Sequence, residues 1–177
     1  MLDVAVAYNR YKFIGHEFLT WLWHCVDTDP DRLMQIQPDA TSLTIGNRIV
    51  LENRARQRLE TITIRGDDAG LEEGILALAK GAVVTEMHLC YTSKNQEWQF
   101  SIKGEGLSLS NLKLPQTGPI ENPADVEGVV LEKAYLLDQP VKLMVGLYDR
   151  FIRLRVSVDW PETVLPAIRA WIRDRRN

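Results

Sequence analysis

The chain has 177 residues, of which 45% are apolar and 25% are charged, a composition typical of one folded domain. No apolar run approaches the roughly 20 residues that a membrane-spanning helix needs, and the first residues lack the pattern of a secretory signal. The formal net charge of -3 argues against a generic nucleic-acid-binding domain. We therefore expect a single cytoplasmic domain over 1–177, with a flexible segment over 1–11 and reduced thiols at Cys25 and Cys90.

The first predicted element is a helix from about Gly15 to Asp27, in a segment rich in aromatic residues. At about 100° per residue, its apolar residues share one arc: Phe18, Leu19, Trp21, Leu22, Trp23, Cys25 and Val26. The opposite arc is polar and holds His16, Glu17, Thr20, His24 and Asp27. We expect the helix to bury the apolar arc and to leave the tryptophan N–H groups in contact with water. A metal site is not predicted, because Cys25 points inward and Glu17 and His24 lack a third ligand.

Strand patterns occupy the middle of the chain. The stretch "TSLTIGNRIVLEN" predicts two strands around a Gly46–Asn47 turn, and "RLETITIRG" predicts a third. A short amphipathic helix follows in "DDAGLEEGILALAKG", where Gly81 ends it. The stretches "VVTEMHLCYTS" and "EWQFSIKG" predict a hairpin, with His88 half-exposed, and "GLSLSNLKLP" predicts one more strand.

Helices are predicted for the last third of the chain. Apolar residues recur there at steps of three and four, which predicts one long amphipathic helix over about 124–156, or two helices: Val126, Val130, Ala134, Leu137, Val141, Met144, Tyr148 and Phe151. Pro140 lacks a backbone N–H and its ring clashes one turn back, so a kink or break is expected near Asp138. A final helix is expected to begin near Asp159 and Pro161.

Together these elements predict an α+β fold. It has a mostly antiparallel sheet of about five or six strands, an amino-terminal helix, and two or three carboxy-terminal helices packed on one face of the sheet.

Charge is distributed unevenly along the chain. Five arginines lie between Thr41 and Gly66 and seven between Arg150 and Asn177, whereas 67–138 carries twelve acidic residues and five lysines. Arginine binds phosphate or carboxylate groups in a bidentate fashion. The basic ends are therefore either phosphate-binding surfaces or solvated faces with internal ion pairs.

Motifs for catalysis are missing from the sequence. There is no phosphate-binding G-x-x-x-x-G-K-[ST], no dinucleotide-binding G-x-G-x-x-G, no C-x-x-C, no H-E-x-x-H and no G-x-S-x-G. The sequence therefore predicts a non-enzymatic protein with no catalytic residue, no metal and no cofactor. An enzyme of unrecognised type would need a deep pocket with converging titratable residues.

Several stretches resemble the carboxy-terminal half of the recombination-associated RdgC family. They are "FIGHEFLTWLW", "LALAKGAVVTEMHL", "EWQFSIKG", "LSLSNLKLP", "LEKAYLLDQPVKLMVGLYDRFIRLRVS" and "WPETVLPAIRAWI", in the family's order over about Lys12 to Arg173. The resemblance implies a relative of proteins that form ring-shaped dimers around duplex DNA and restrain the recombinase RecA. The family's amino-terminal half has no counterpart in these 177 residues.

Two functions follow as hypotheses. The first is a nucleoid-associated homodimer that binds double-stranded DNA without sequence preference, because arginines displace counterions from phosphates. Its candidate residues are Arg48, Arg54, Arg56, Arg58, Arg150, Arg153, Arg155, Arg169 and Arg173. The second is a protein-interaction module that binds another copy of itself or a recombination protein through the first helix or the long helix. This module requires an exposed apolar patch larger than a monomer normally tolerates.

Overall fold

A computed structural model describes residues 13–35, 40–53, 60–65 and 68–175. The segment over 1–11 that was predicted to be flexible lies outside these ranges. Over the described ranges, the elements in chain order are α1 (Phe13–Thr28), α2 (Pro30–Met34), β1 (Ala40–Asn53), β2 (Glu60–Arg65), α3 (Asp68–Ala79), β3 (Val83–Ser93), β4 (Gln96–Lys103), β5 (Ser108–Lys113), α4 (Asp125–Arg155), a π-helical turn (Trp160–Val164) and α5 (Leu165–Asp174).

The sheet has five strands in the order β2-β1-β3-β4-β5, and all neighbours are antiparallel. The predicted hairpin between β3 and β4 is confirmed. Its turn residues Lys94 and Asn95 have φ of 47° and 65°, which is the backbone conformation of a type I′ turn. Helices pack against this sheet, so the predicted α+β fold with a mostly antiparallel sheet is confirmed.

The predicted turn at Gly46–Asn47 is wrong. β1 is one strand of 14 residues, and Gly46 lies inside it. The register with β3 shifts there, since Ile45 pairs with Leu89 but Ile49 pairs with Met87. Gly46 therefore lies in a β-bulge. A side chain at this position would clash with His88, because a Cβ on Gly46 would lie 2.0 Å from Nδ1 of that half-buried residue.

α1 buries its apolar arc in the core, as the pattern predicts. Two details differ from the prediction. The N–H of Trp23 was expected to contact water, but Trp23 is 0% exposed, and its Nε1 has no acceptor among the described residues. His16, predicted on the polar face, is buried as well.

A pair of glycines explains the burial of His16. A Cβ on Gly15 would lie 1.8 Å from the carbonyl oxygen of Gly104, at the end of β4. The backbones of α1 and the sheet therefore meet directly at this point, and the approach draws the His16 ring against Gly104. Both glycines belong to the stretches "FIGHEFLTWLW" and "EWQFSIKG".

α4 is one helix of 31 residues, and the break expected near Asp138 is absent. Pro140 lies inside the helix and cannot donate to the carbonyl of Leu136, four residues earlier. The indole N–H of Trp98, on β4, donates to that carbonyl instead, with an N···O distance of 2.9 Å. Trp98 is 1% exposed, so this hydrogen bond satisfies a buried acceptor and fastens the middle of α4 to the sheet.

Candidate interaction surface

α4 carries apolar side chains on two neighbouring faces, whose centres lie roughly 120° apart at about 100° per residue. One face is buried against the rest of the protein and includes Val129, Leu136, Leu143, Leu147 and Phe151. The other face is exposed. An amphipathic helix of a monomeric protein normally has one apolar face and one polar face, so the second face of α4 has no role in the core.

We name the exposed face the apolar stripe. It consists of six exposed residues that recur at steps of three or four: Val126, Val130, Ala134, Leu137, Val141 and Val145. Val130 is 58% exposed and Val145 is 63% exposed, although apolar side chains gain free energy from leaving water. The line continues into Tyr148 and Ile152, which are half-buried.

Both ends of α4 make polar contacts. At the amino-terminal end, the Asp125 carboxylate accepts hydrogen bonds from the backbone N–H groups of Glu121 and Asn122, at 3.1 and 2.8 Å. At the carboxy-terminal end, Arg155 pairs with Glu17 of α1 at 2.7 Å, and its guanidinium lies 5.3 Å from the ring centre of Trp160. Trp98 and Arg155 therefore join the middle and the carboxy-terminal end of α4 to the rest of the protein, whereas Asp125 joins the helix only to the loop just before it.

Ion pairs engage most of the described arginines from the predicted DNA-binding set. Arg48 pairs with Glu86 on the neighbouring strand at 3.0 Å. Arg153 pairs with Asp149 one turn earlier at 2.8 Å, Arg155 pairs with Glu17, and Arg173 lies 3.3 Å from the neighbouring Asp174. Arg169 is exposed and makes no ion pair with a described residue. Arg54, Arg56 and Arg58 lie outside the described residues.

Arg150 and Arg153 meet at one groove. It has a volume of about 690 Å³ and lies between α1, the last turns of α4, the π-helical turn and α5. Its apolar lining includes the buried Trp21 and Leu33, and Asp29 and Asp159 line it as well. The groove therefore carries both signs of charge. The structure places Arg48 elsewhere, in the sheet, and turns Arg155 toward α1.

Two histidines have lowered pKa values. Burial lowers the pKa of His24, against the opposing effect of Asp27. Burial also lowers the pKa of His88, and the charges of Lys113 and Arg48 lower it further. His24 was predicted on the polar arc of the first helix, but it is half-buried, with its ring 5.5 Å from that of Trp171.

The two thiols, Cys25 and Cys90, form no disulfide and are half-buried. Burial, together with the charge of Glu97, raises the pKa of the Cys90 thiol, against the opposing effect of Lys113. A raised pKa disfavours the reactive thiolate, so nothing marks Cys90 as a nucleophile.

The part of the chain that the structure describes holds neither a metal-binding cluster nor a membrane-spanning helix. No cluster of three or more His, Cys, Asp and Glu residues is placed there to hold a metal ion. None of the described helices combines the length and the hydropathy that crossing a bilayer requires.

Comparisons with protein-family models, curated proteins and solved structures give no significant match to this chain. The resemblance to the RdgC family therefore stays a prediction from the sequence stretches alone.

Sequence periodicity identified an apolar side of α4 but did not show whether that side is buried or exposed. The residues at the predicted steps from Val126 to Val141 are exposed, whereas Val129, Leu136 and Leu143 are buried. Adjacent apolar pairs such as Leu136–Leu137 project about 100° apart and widen the apolar arc of the helix, but they do not show which part of that arc is buried.

Proposed function

We propose that this protein is a protein-interaction module that binds a partner protein through the apolar stripe of α4. The observation that carries the proposal is the exposure of six aligned apolar side chains on a helix whose other face is already buried. Burying such a surface against a partner removes it from water, which is the main driving force of protein association.

The size of the stripe is within the range of functional apolar patches on monomers. From Val126 to Val145 the helix rises by about 29 Å at about 1.5 Å per residue, and a helix face is roughly 10 Å wide. The stripe therefore covers roughly 300 Å², which is at the lower end of the roughly 300–600 Å² of the largest apolar patch on a typical monomer. It does not exceed what a monomer tolerates, but patches of this size are often functional. The aromatic residues of α1, which were the other predicted contact surface, are instead buried in the core.

Photo-crosslinking tests this function. A photoreactive phenylalanine analogue is introduced at Val145, which is 63% exposed, and separately at the matched control Val158, which is 72% exposed and lies beyond α4. We expect the residue at 145 to form a discrete covalent adduct with a protein in cells and the residue at 158 to form none. Equal crosslinking at the two positions, or none at 145, would refute the proposal.

Binding of duplex DNA is the second proposal. Its support is the meeting of Arg150 and Arg153 at one groove, with the exposed Arg169 and Arg173 on α5, a helix that also lines this groove. Fluorescence anisotropy with a labelled duplex at two salt concentrations tests it, because phosphate binding weakens steeply as salt rises. We expect the Arg150→Ala/Arg153→Ala variant to bind more weakly than the native chain. No binding by the native chain at low salt would rule DNA binding out.

A further inference from the structure

We propose that the partner of the apolar stripe is a second copy of this chain, whose α4 lies antiparallel to the first across a two-fold axis. This inference rests on the proposed function, because it names the protein that the stripe binds. Three features of α4 support it: the spacing of the stripe, the distribution of charge along the helix and the positions of charged residues beside the stripe.

The stripe repeats every eleven residues. Val126, Leu137 and Tyr148 form one series at this interval, and Val130, Val141 and Ile152 form another. Eleven residues make three turns at 3.67 residues per turn, close to the 3.6 of a straight helix. The stripe therefore runs almost along the helix axis, so two such helices can stay in contact over its whole length with little supercoiling.

Charge on α4 is opposite in its two halves. From Asp125 to Asp138 the helix carries four acidic residues and one lysine, and from Val141 to Arg155 it carries four basic residues and one aspartate. In a parallel pair, like halves would lie together. In an antiparallel pair, the acidic half of each copy lies beside the basic half of the other, and this arrangement is self-complementary as a two-fold interface must be.

Individual charges agree with the same arrangement. At about 100° per residue, Glu127, Asp138, Lys142 and Arg153 project on one flank of the stripe. When Leu137 is set level with the partner's Val141, Glu127 lies two residues, or about 3 Å along the axis, from the level of the partner's Arg153. The same offset places the Asp138–Lys142 pairs of the two copies side by side near the two-fold axis. In each copy by itself, Lys142 pairs with Asp138 and Arg153 with Asp149. The flank therefore carries charges of both signs, together with the exposed apolar residues Leu131 and Tyr135.

The contact area indicates the strength of the dimer. Including Tyr148 and Ile152, the apolar line is about 39 Å long and covers roughly 400 Å² per copy. A standard protein interface buries roughly 800 Å² per partner. We therefore expect a reversible dimer with a Kd in the micromolar range, in which the side chains nearest the axis contribute most.

Sedimentation velocity from about 1 to about 100 μM, a range around a micromolar Kd, measures this dimer. The Leu137→Gln/Val141→Gln variant alters two exposed residues next to the axis with a good helix former, and we expect its Kd to rise at least about tenfold. The matched control is Val156→Gln/Val158→Gln, which alters two exposed residues beyond α4 and is expected to dimerise as the native chain does. A dimer equally stable in both variants would overturn the inference.

Charge reversal tests the antiparallel arrangement. Glu127→Arg and Arg153→Glu each place like charges together twice per dimer, and each is expected to weaken the dimer by about five- to tenfold at low salt. Either the two substitutions in one chain or a mixture of the two single variants restores opposite charges at both contacts, and should restore the native Kd. Singles with unchanged Kd, or no restoration, would overturn the arrangement.

The two proposals fail in different ways. A chain that stays monomeric at every concentration, but crosslinks from position 145 to a different protein, overturns the second copy and supports the interaction module. A chain that dimerises, loses dimerisation with Leu137→Gln/Val141→Gln and crosslinks to itself supports both.

Discussion

The hydrogen bond between Trp98 and the Leu136 carbonyl gives the sharpest test of how α4 is held. Trp98→Phe keeps an aromatic ring at a position that is 1% exposed and removes the N–H. The buried carbonyl then has no donor, since Pro140 offers none. Leaving a buried polar group unsatisfied costs about 1–3 kcal/mol. For a domain of this size, each kcal/mol lowers Tm by roughly 2–4 °C, so we expect Tm to fall by roughly 2–12 °C, plus the effect of the smaller ring.

A double-mutant cycle isolates the hydrogen bond from the change in ring size. Pro140→Ala restores a backbone N–H four residues after Leu136, where it can donate to the same carbonyl. Trp98→Phe should therefore cost about 1–2 kcal/mol less in the Pro140→Ala background than in the native chain. The free energies of unfolding come from urea denaturation followed by far-ultraviolet circular dichroism, which does not depend on tryptophan fluorescence.

Trp171→Phe is the matched control for this cycle. The Trp171 N–H donates to the Asp27 carboxylate at 2.7 Å, away from Pro140. Its cost should therefore be the same in both backgrounds within about 0.5 kcal/mol. If Trp98→Phe also costs the same in both backgrounds, the carbonyl freed by Pro140 does not depend on Trp98 and the explanation of the unbroken helix is wrong.

Two further predictions concern stability. Gly15→Ala places a Cβ 1.8 Å from a backbone oxygen and should destabilise the fold by about 1–3 kcal/mol. The control Gly128→Ala, in the first turns of α4, meets nothing within 4 Å and should stabilise the fold by about 0.5–1 kcal/mol. Equal effects of the two substitutions in thermal melts would contradict the close approach of Gly15 to Gly104. The lowered pKa values of His24 and His88 mean that the unfolded chain binds more protons than the folded one below about pH 6.5. The free energy of unfolding should therefore have its full value above that pH and should fall as the pH drops toward 5.5. The His24→Gln/His88→Gln variant should lose less of its free energy of unfolding between pH 7.5 and 5.5; an identical loss would show that neither histidine contributes.

Much of the fold was predictable because it depends on local patterns. Period-two alternation and the turn at Lys94–Asn95 define β3 and β4, and the apolar arc defines α1. Gly46 was misinterpreted because a glycine suits both a turn and a bulge. The structure shows a bulge, since the residues on both sides of Gly46 pair with the same strand, β3. Of the kink or break predicted near Asp138, the break does not occur; Trp98, which replaces the missing donor, is distant in sequence.

The site was less predictable, since it depends on which face of a helix meets the rest of the protein. Periodicity shows that α4 has an apolar side but cannot tell the buried Leu136 from the exposed Leu137. Arginine counts have the same weakness. The partners of Arg48 and Arg155 are Glu86 and Glu17, which lie 38 and 138 residues away in the sequence.

The position of β1 between β2 and β3 has a consequence for synthesis. β2 and α3 follow β1 at once along the chain, and both contact it, so this part can assemble while translation continues. β3 emerges only after α3, and until then one edge of β1 has unpaired backbone N–H and C=O groups beside apolar residues such as Leu43 and Leu51. An open edge of this kind invites pairing with other nascent chains. A stalled ribosome that holds the chain before Val83 should therefore present a species prone to aggregation, which chaperones must shield until the strand that closes the sheet has been made.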